Sequence, residues 1–101
     1  MNKVIKDGKV AVLISYGFGS RFHSYGAPLE AIFDPKLVEL VESEDFDGAE
    51  EYVKNTYSGV YTGGVEDLEV VWVDEGEEFI INEYDGSESI QLKSKTQWIT
   101  A

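Results

Sequence analysis

His23 is the sole histidine of the chain, and so the one side chain whose ordinary titration falls near neutral pH. It lies within Gly17-Phe18-Gly19-Ser20-Arg21-Phe22-His23-Ser24-Tyr25-Gly26, with a serine on either side and an arginine close by. A serine nucleophile needs a base to take its proton and an acid to orient that base. Ser20 or Ser24, His23 and Glu30 would supply that set. Residues close together in a glycine-rich stretch do not fix the geometry, however, and an isolated exposed histidine accounts for the same spacing. The glycines also suggest a phosphate cradle, but the Gly-x-Gly-x-x-Gly spacing is missing and no Gly-Lys-Ser/Thr follows. Arg21 could hold an anionic group, with His23 as a second polar group, while Tyr16, Phe18, Phe22 and Tyr25 line a pocket or contact patch. The alternative is that these aromatic side chains simply cap the core of a small domain.

Carboxylates are the other chemically capable groups. Glycosidic cleavage needs two of them across a carbohydrate cleft, for which 101 residues leave little room. Glu44-Asp45-Phe46-Asp47-Gly48 lacks the alternating ligands and closing glutamate of a calcium-binding helix–loop–helix. With no cysteine and one histidine, thiolate sites, disulfides and multi-histidine zinc centres are all excluded. No metal and no cofactor is expected.

The acids matter more as a field. The formal charge is −12, yet residues 39–88 hold 17 Asp and Glu against one base, Lys54, while both flanks are weakly basic. Such a field repels nucleic acid and anionic membrane and steers a basic partner. Glu39, Glu42, Glu50, Glu51, Glu75, Glu77 and Glu78 are the candidate partner-binding residues. Gathered on one face they could imitate a phosphate backbone; scattered, they serve solubility alone.

The elements that position these groups are legible from pattern. A content of 43% hydrophobic residues, including two Trp, six Tyr and five Phe, supports one globular domain over residues 1–101. No stretch is long and apolar enough for a signal peptide or a membrane helix, which makes the cytoplasm the expected compartment. Val10 to Tyr16 predicts a strand buried on both faces. Asp34-Pro35 predicts a capped helix start, with Leu37, Leu40 and Val41 on its inner stripe. Asp47, with Glu50 three residues on, predicts the cap of a second helix whose buried face is Ala49, Tyr52, Val53 and Tyr57.

Tyr84-Asp85-Gly86-Ser87 carries the Asp-Gly pair of a two-residue type I′ hairpin, which sets Ile81 opposite Ile90 and Phe79 opposite Leu92. A four-residue link, Asp74 to Glu77, would set Trp72 opposite Phe79 and Val70 opposite Ile81. The expected fold is α+β: one antiparallel sheet of about four strands, the N-terminal strand plus a three-stranded meander, with two short helices on one face. The meander's second face, with Val71, Val73, Ile80 and Tyr84, is partly apolar and could be a homodimer surface.

Four stretches, Gly8 to Leu13, Ile32 to Val41, Tyr61 to Val65 and Glu83 to Ile90, resemble a group of short acidic uncharacterised proteins encoded by phages and prophages. The resemblance covers most of the chain and rests on no catalytic motif. It implies an accessory protein acting inside a bacterial cell, and it assigns no functional residue. The expected function is a non-enzymatic acidic protein-binding module, an accessory protein or inhibitor meeting a basic protein surface. Alternatives are a small ligand-binding domain or enzyme centred on Gly17–Gly26, and a structural homo-oligomer joined through the second sheet face.

Overall fold

The computed structural model describes residues 2–95 and Thr100. It is an α+β fold of three helices and two antiparallel sheets. Strand β1 (Ile5–Lys6) turns back into β2 (Lys9–Ser15), and β3 (Leu68–Asp74) pairs with β2 along its whole length, from Lys9 opposite Asp74 to Ser15 opposite Leu68. A separate hairpin is formed by β4 (Phe79–Tyr84) and β5 (Ser87–Leu92). Between β2 and β3 lie α1 (Leu29–Phe33), α2 (Pro35–Glu42) and α3 (Phe46–Thr56).

The sheet therefore differs from the expected single four-stranded one. The β4–β5 register is as predicted, Ile81 opposite Ile90 and Phe79 opposite Leu92, and Asp85 and Gly86 both have positive φ, as a type I′ turn requires. The predicted pairings of Trp72 with Phe79 and Val70 with Ile81 do not form: β3 pairs with β2 along one edge, and β4 does not join its other edge. Two contacts explain the break. The Glu77 N–H closes a turn on the Asp74 carbonyl at 3.0 Å, while the Glu75 N–H donates to the Gly8 carbonyl at 2.8 Å. The link is thus tied to the β1–β2 turn and leads away from β3.

The helices also differ from expectation in detail. Helix α1 is a single short turn that ends at the Asp34-Pro35 break, too brief to show apolar periodicity. Helix α2 begins as predicted: Asp34 Oδ1 accepts the N–H groups of Lys36 at 2.9 Å and Leu37 at 3.3 Å. The cap of α3 is Asp45 and not Asp47, its Oδ1 accepting the Gly48 N–H at 3.0 Å. Gly48 permits this, since a Cβ there would lie 2.5 Å from the Asp45 carboxylate.

Ala11, Val12 and Leu13 of β2, Phe22, Ile32, Leu37 and Val53 are fully buried in one core. The predicted inner face (Leu68, Val70, Trp72, Phe79, Ile81, Ile90 and Leu92) belongs to that core or packs against it. The proposed second face is divided, however. Val73 is in the core and Val71 packs against it, leaving only Ile80 and Tyr84 exposed.

Asp34 also ties the helices together: its Oδ2 accepts the hydroxyls of Tyr52 at 2.7 Å and Tyr57 at 2.6 Å. Burial, then the hydrogen bond to Asp34 and its charge, raise both phenols above their ordinary value of 10.0, Tyr57 the more strongly. A phenol with a raised folded pKa stabilises fully below its unfolded value and loses that stabilisation as pH rises beyond it. We predict that stability falls above about pH 10. In a spectrophotometric titration, Tyr52→Phe and Tyr57→Phe should each remove a late-ionising phenol, and simultaneous ionisation of all six tyrosines in the folded protein would contradict this.

Candidate functional site

The Gly17–Gly26 segment is held between the β4–β5 hairpin and the residues preceding β3. On one side the Gly19 N–H donates to the Asp85 carbonyl, the Arg21 N–H to the Gly86 carbonyl at 3.0 Å, and the Ser87 hydroxyl to the Tyr16 carbonyl at 2.6 Å. The approach needs glycine at the hairpin tip, where a Cβ on Gly86 would lie 2.6 Å from the Gly19 backbone. On the other side a Cβ on Gly64 would lie 2.1 Å from the Arg21 carbonyl oxygen, and the Ser15 hydroxyl donates to the Gly64 carbonyl at 2.8 Å.

Beneath the segment lies Glu88, 2% exposed. Its Oε1 accepts the Ser15 N–H at 2.9 Å, and its Oε2 accepts the Phe22 N–H at 3.0 Å with the N–H and hydroxyl of Ser24, each at 2.7 Å. All four of these partners are donors, which matches the acceptor-only character of a carboxylate. The strand period carried a signal for Glu88 that the charge count hid: flanked by Ser87 and Ser89, it shares its face with the inward Ile90 and Leu92.

The polar groups considered for catalysis are thus engaged by the fold. Ser24 donates to Glu88 and Ser20 to Asp67. The His23 Nδ1 is 2.7 Å from the Ala27 carbonyl, and because a carbonyl only accepts, Nδ1 carries the proton. Glu30 is exposed on α1. Of the ligand-site candidates Phe18, Arg21, His23 and Tyr25, Arg21 and Tyr25 come together, the guanidinium 5.3 Å from the ring centre, with Tyr61 edge-on to Tyr25 and Glu83 bound to Arg21 Nε at 3.4 Å. Phe18 projects outward, 77% exposed. His23 instead lines a largely apolar groove of about 530 Å³ between α1 and β4, rimmed by Glu77 and Glu78.

The acids group around Phe46, at the junction of α2 and α3. One groove, of about 320 Å³, runs beside it with Glu42, Glu44 and Glu69; a second, of about 200 Å³, carries Asp47, Glu50 and Glu66. Glu42 and Glu50 were expected from sequence, and Glu39 and Glu51 lie on the same two helices, Glu50 pairing with Lys54 at 3.2 Å. Glu44, Asp47, Glu66 and Glu69 join them through tertiary packing, which local spacing does not show. Glu75, Glu77 and Glu78 lie in the β3–β4 link, where Glu78 pairs with Lys93 at 3.2 Å and Glu77 accepts from the Ser94 N–H at 3.1 Å. Among the described residues no group of three or more His, Asp or Glu is arranged to hold a metal ion, and no helix is long and apolar enough to cross a membrane.

Three substitutions test how the loop is held. Glu88→Gln sets an amide NH₂ against groups that are themselves donors, and should destabilise by about 3 kcal/mol in chemical denaturation. Gly8 and Gly86 both have positive φ, but a Cβ on Gly8 meets open space. Gly8→Ala should cost about 1 kcal/mol from backbone strain alone, and Gly86→Ala distinctly more. Equal costs would show that the hairpin does not approach the loop this closely.

Comparison with protein-family models, with curated proteins and with solved structures gives no match.

Proposed function

We propose that this chain is a non-enzymatic acidic protein-binding module, an accessory protein or inhibitor of phage or prophage origin that engages a basic surface on a partner protein. The observation that carries the reading is the group of carboxylates in the two grooves beside Phe46: Glu42, Glu44, Asp47, Glu50, Glu66 and Glu69, drawn from α2, the α2–α3 link, α3, the segment before β3, and β3. Lys54 is the only cation paired with any of them among the described residues. A half-buried aromatic ring amid uncompensated charge combines an apolar anchor with a field that steers a cationic surface. The engagement of Ser20, Ser24 and His23 by Asp67, Glu88 and Ala27 supports a module whose polar interior maintains shape.

Immobilised protein should retain a bacterial protein at about 50 mM salt and release it near 0.5 M, where the Debye length falls to a few ångströms. A Glu42→Lys/Glu50→Lys variant of unchanged melting temperature should lose that retention. Capture insensitive to both salt and charge reversal would remove the electrostatic premise.

A further inference from the structure

We propose that the outer edge of β3 is a docking edge for an extended, lysine- or arginine-bearing segment of the partner, which adds to the sheet as a fourth strand. This rests on the basic-partner reading above and specifies where and in what conformation the partner binds.

The hydrogen-bonding phase of β3 is fixed at both ends. The Tyr16 N–H donates to the Asp67 carbonyl at 3.3 Å and the Glu75 N–H to the Gly8 carbonyl at 2.8 Å. In an antiparallel ladder, bonded and non-bonded pairs alternate. With Ile14 opposite Glu69 and Val10 opposite Val73, residues 69, 71 and 73 bond inward to β2. The backbone groups of Val70 and Trp72 point outward, and among the described residues nothing meets them.

The 320 Å³ groove lies at the start of this strand: it touches Leu68, Glu69 and Val70, and Tyr16 just past β2. Across the groove stand Glu42 and Glu44. Exposed edges are usually guarded by lysine, proline or a bulge. Here the seven residues of β3 include none of the first two, and their pairing with β2 runs without a bulge. The charges present, Glu69 and Asp74, are both acidic. A second copy would set acid against acid in a chain of charge −12. A strand with a cation at every second position would instead place its charges beside Glu69, Glu42 and Glu44.

The test uses the full ¹⁵N-labelled chain and a capped peptide of alternating Lys and Val, equal to β3 in length, with the same peptide N-methylated at every backbone nitrogen as the control. In the free protein the Val70 and Trp72 amides should exchange quickly, and those of Val71 and Val73 slowly. The peptide should slow exchange at Val70 and Trp72, and the methylated form should bind at least about tenfold more weakly, the worth of one or two lost hydrogen bonds. Glu44→Lys/Glu69→Lys should weaken the peptide by a similar factor. If both peptides bind alike without protecting Val70 and Trp72, the edge proposal fails while the basic-partner reading stands. It fails equally if neither peptide binds while partner capture remains salt-sensitive, or if Val70 and Trp72 are already protected in a dimer of the free chain.

Discussion

A buried carboxylate must have its lone pairs met, and Glu88 meets this demand by gathering backbone N–H groups that the strands cannot use. The Ser15 N–H points away from β3, to the side where β1 has already ended, and Phe22 and Ser24 lie in irregular chain. Ser15 and Phe22 are buried, and each would leave a donor unsatisfied at a cost of about 1–3 kcal/mol. One acid answers all three and takes the Ser24 hydroxyl as well. The contacts span 64 to 73 residues of sequence, so this side chain joins the Gly19, Arg21 and Ser87 contacts in fixing the C-terminal hairpin against the N-terminal strand and loop. The hairpin has no ladder to the main sheet, and this junction does the work that the missing β3–β4 pairing would have done.

Glu83 and Glu88 face each other across the hairpin, an arrangement that ordinarily destabilises. The fold separates their roles. Glu88 is turned inward to its donors, while Glu83 receives the Gly86 N–H at 2.8 Å and the Arg21 guanidinium at 3.4 Å. Arg21 itself has a positive φ of 55° and donates its own N–H to the hairpin tip. The residue that looked most like an anion-binding group is thus bound to an anion of the same chain.

The legible parts of the fold were those encoded locally. Asp34-Pro35 marks a helix start, Asp85-Gly86 a hairpin, and the apolar run of β2 a strand covered on both sides, because each depends on residues a few positions apart. That β4 does not join the free edge of β3 was not legible, since the alternation of Trp72 and Val70 suits a meander equally well. What leads the chain away is a turn anchored on Gly8, distant in sequence. The cap of α3 was misplaced for a related reason: Asp45 and Asp47 are both plausible, and the missing Cβ of Gly48 selects the first. In the site, the acidity of residues 39–88 was plain, but the grouping of Glu42 and Glu50 with Glu66 and Glu69 requires β3 to lie beside the helices.

The two buried acids and the exposed ones obey different electrostatics. Asp34 and Glu88 are surrounded by donors and stabilise the fold from within. Of the acids in residues 39–88, all but Glu50, Asp67, Glu77 and Glu88 are exposed, and of the exposed ones only Glu78 and Glu83 are ion-paired among the described residues. The remainder repel one another, which disfavours the compact state. A cationic segment lying among them would relieve that repulsion, so part of the free energy of binding would come from strain already present in the free chain. Because such a ligand favours the folded form, it would also raise its stability by mass action. Acidity that is a cost to the isolated domain thereby becomes a source of affinity once a basic partner is in place, and a scattered solubilising charge, with no groove or strand edge to seat the partner, would recover far less of it.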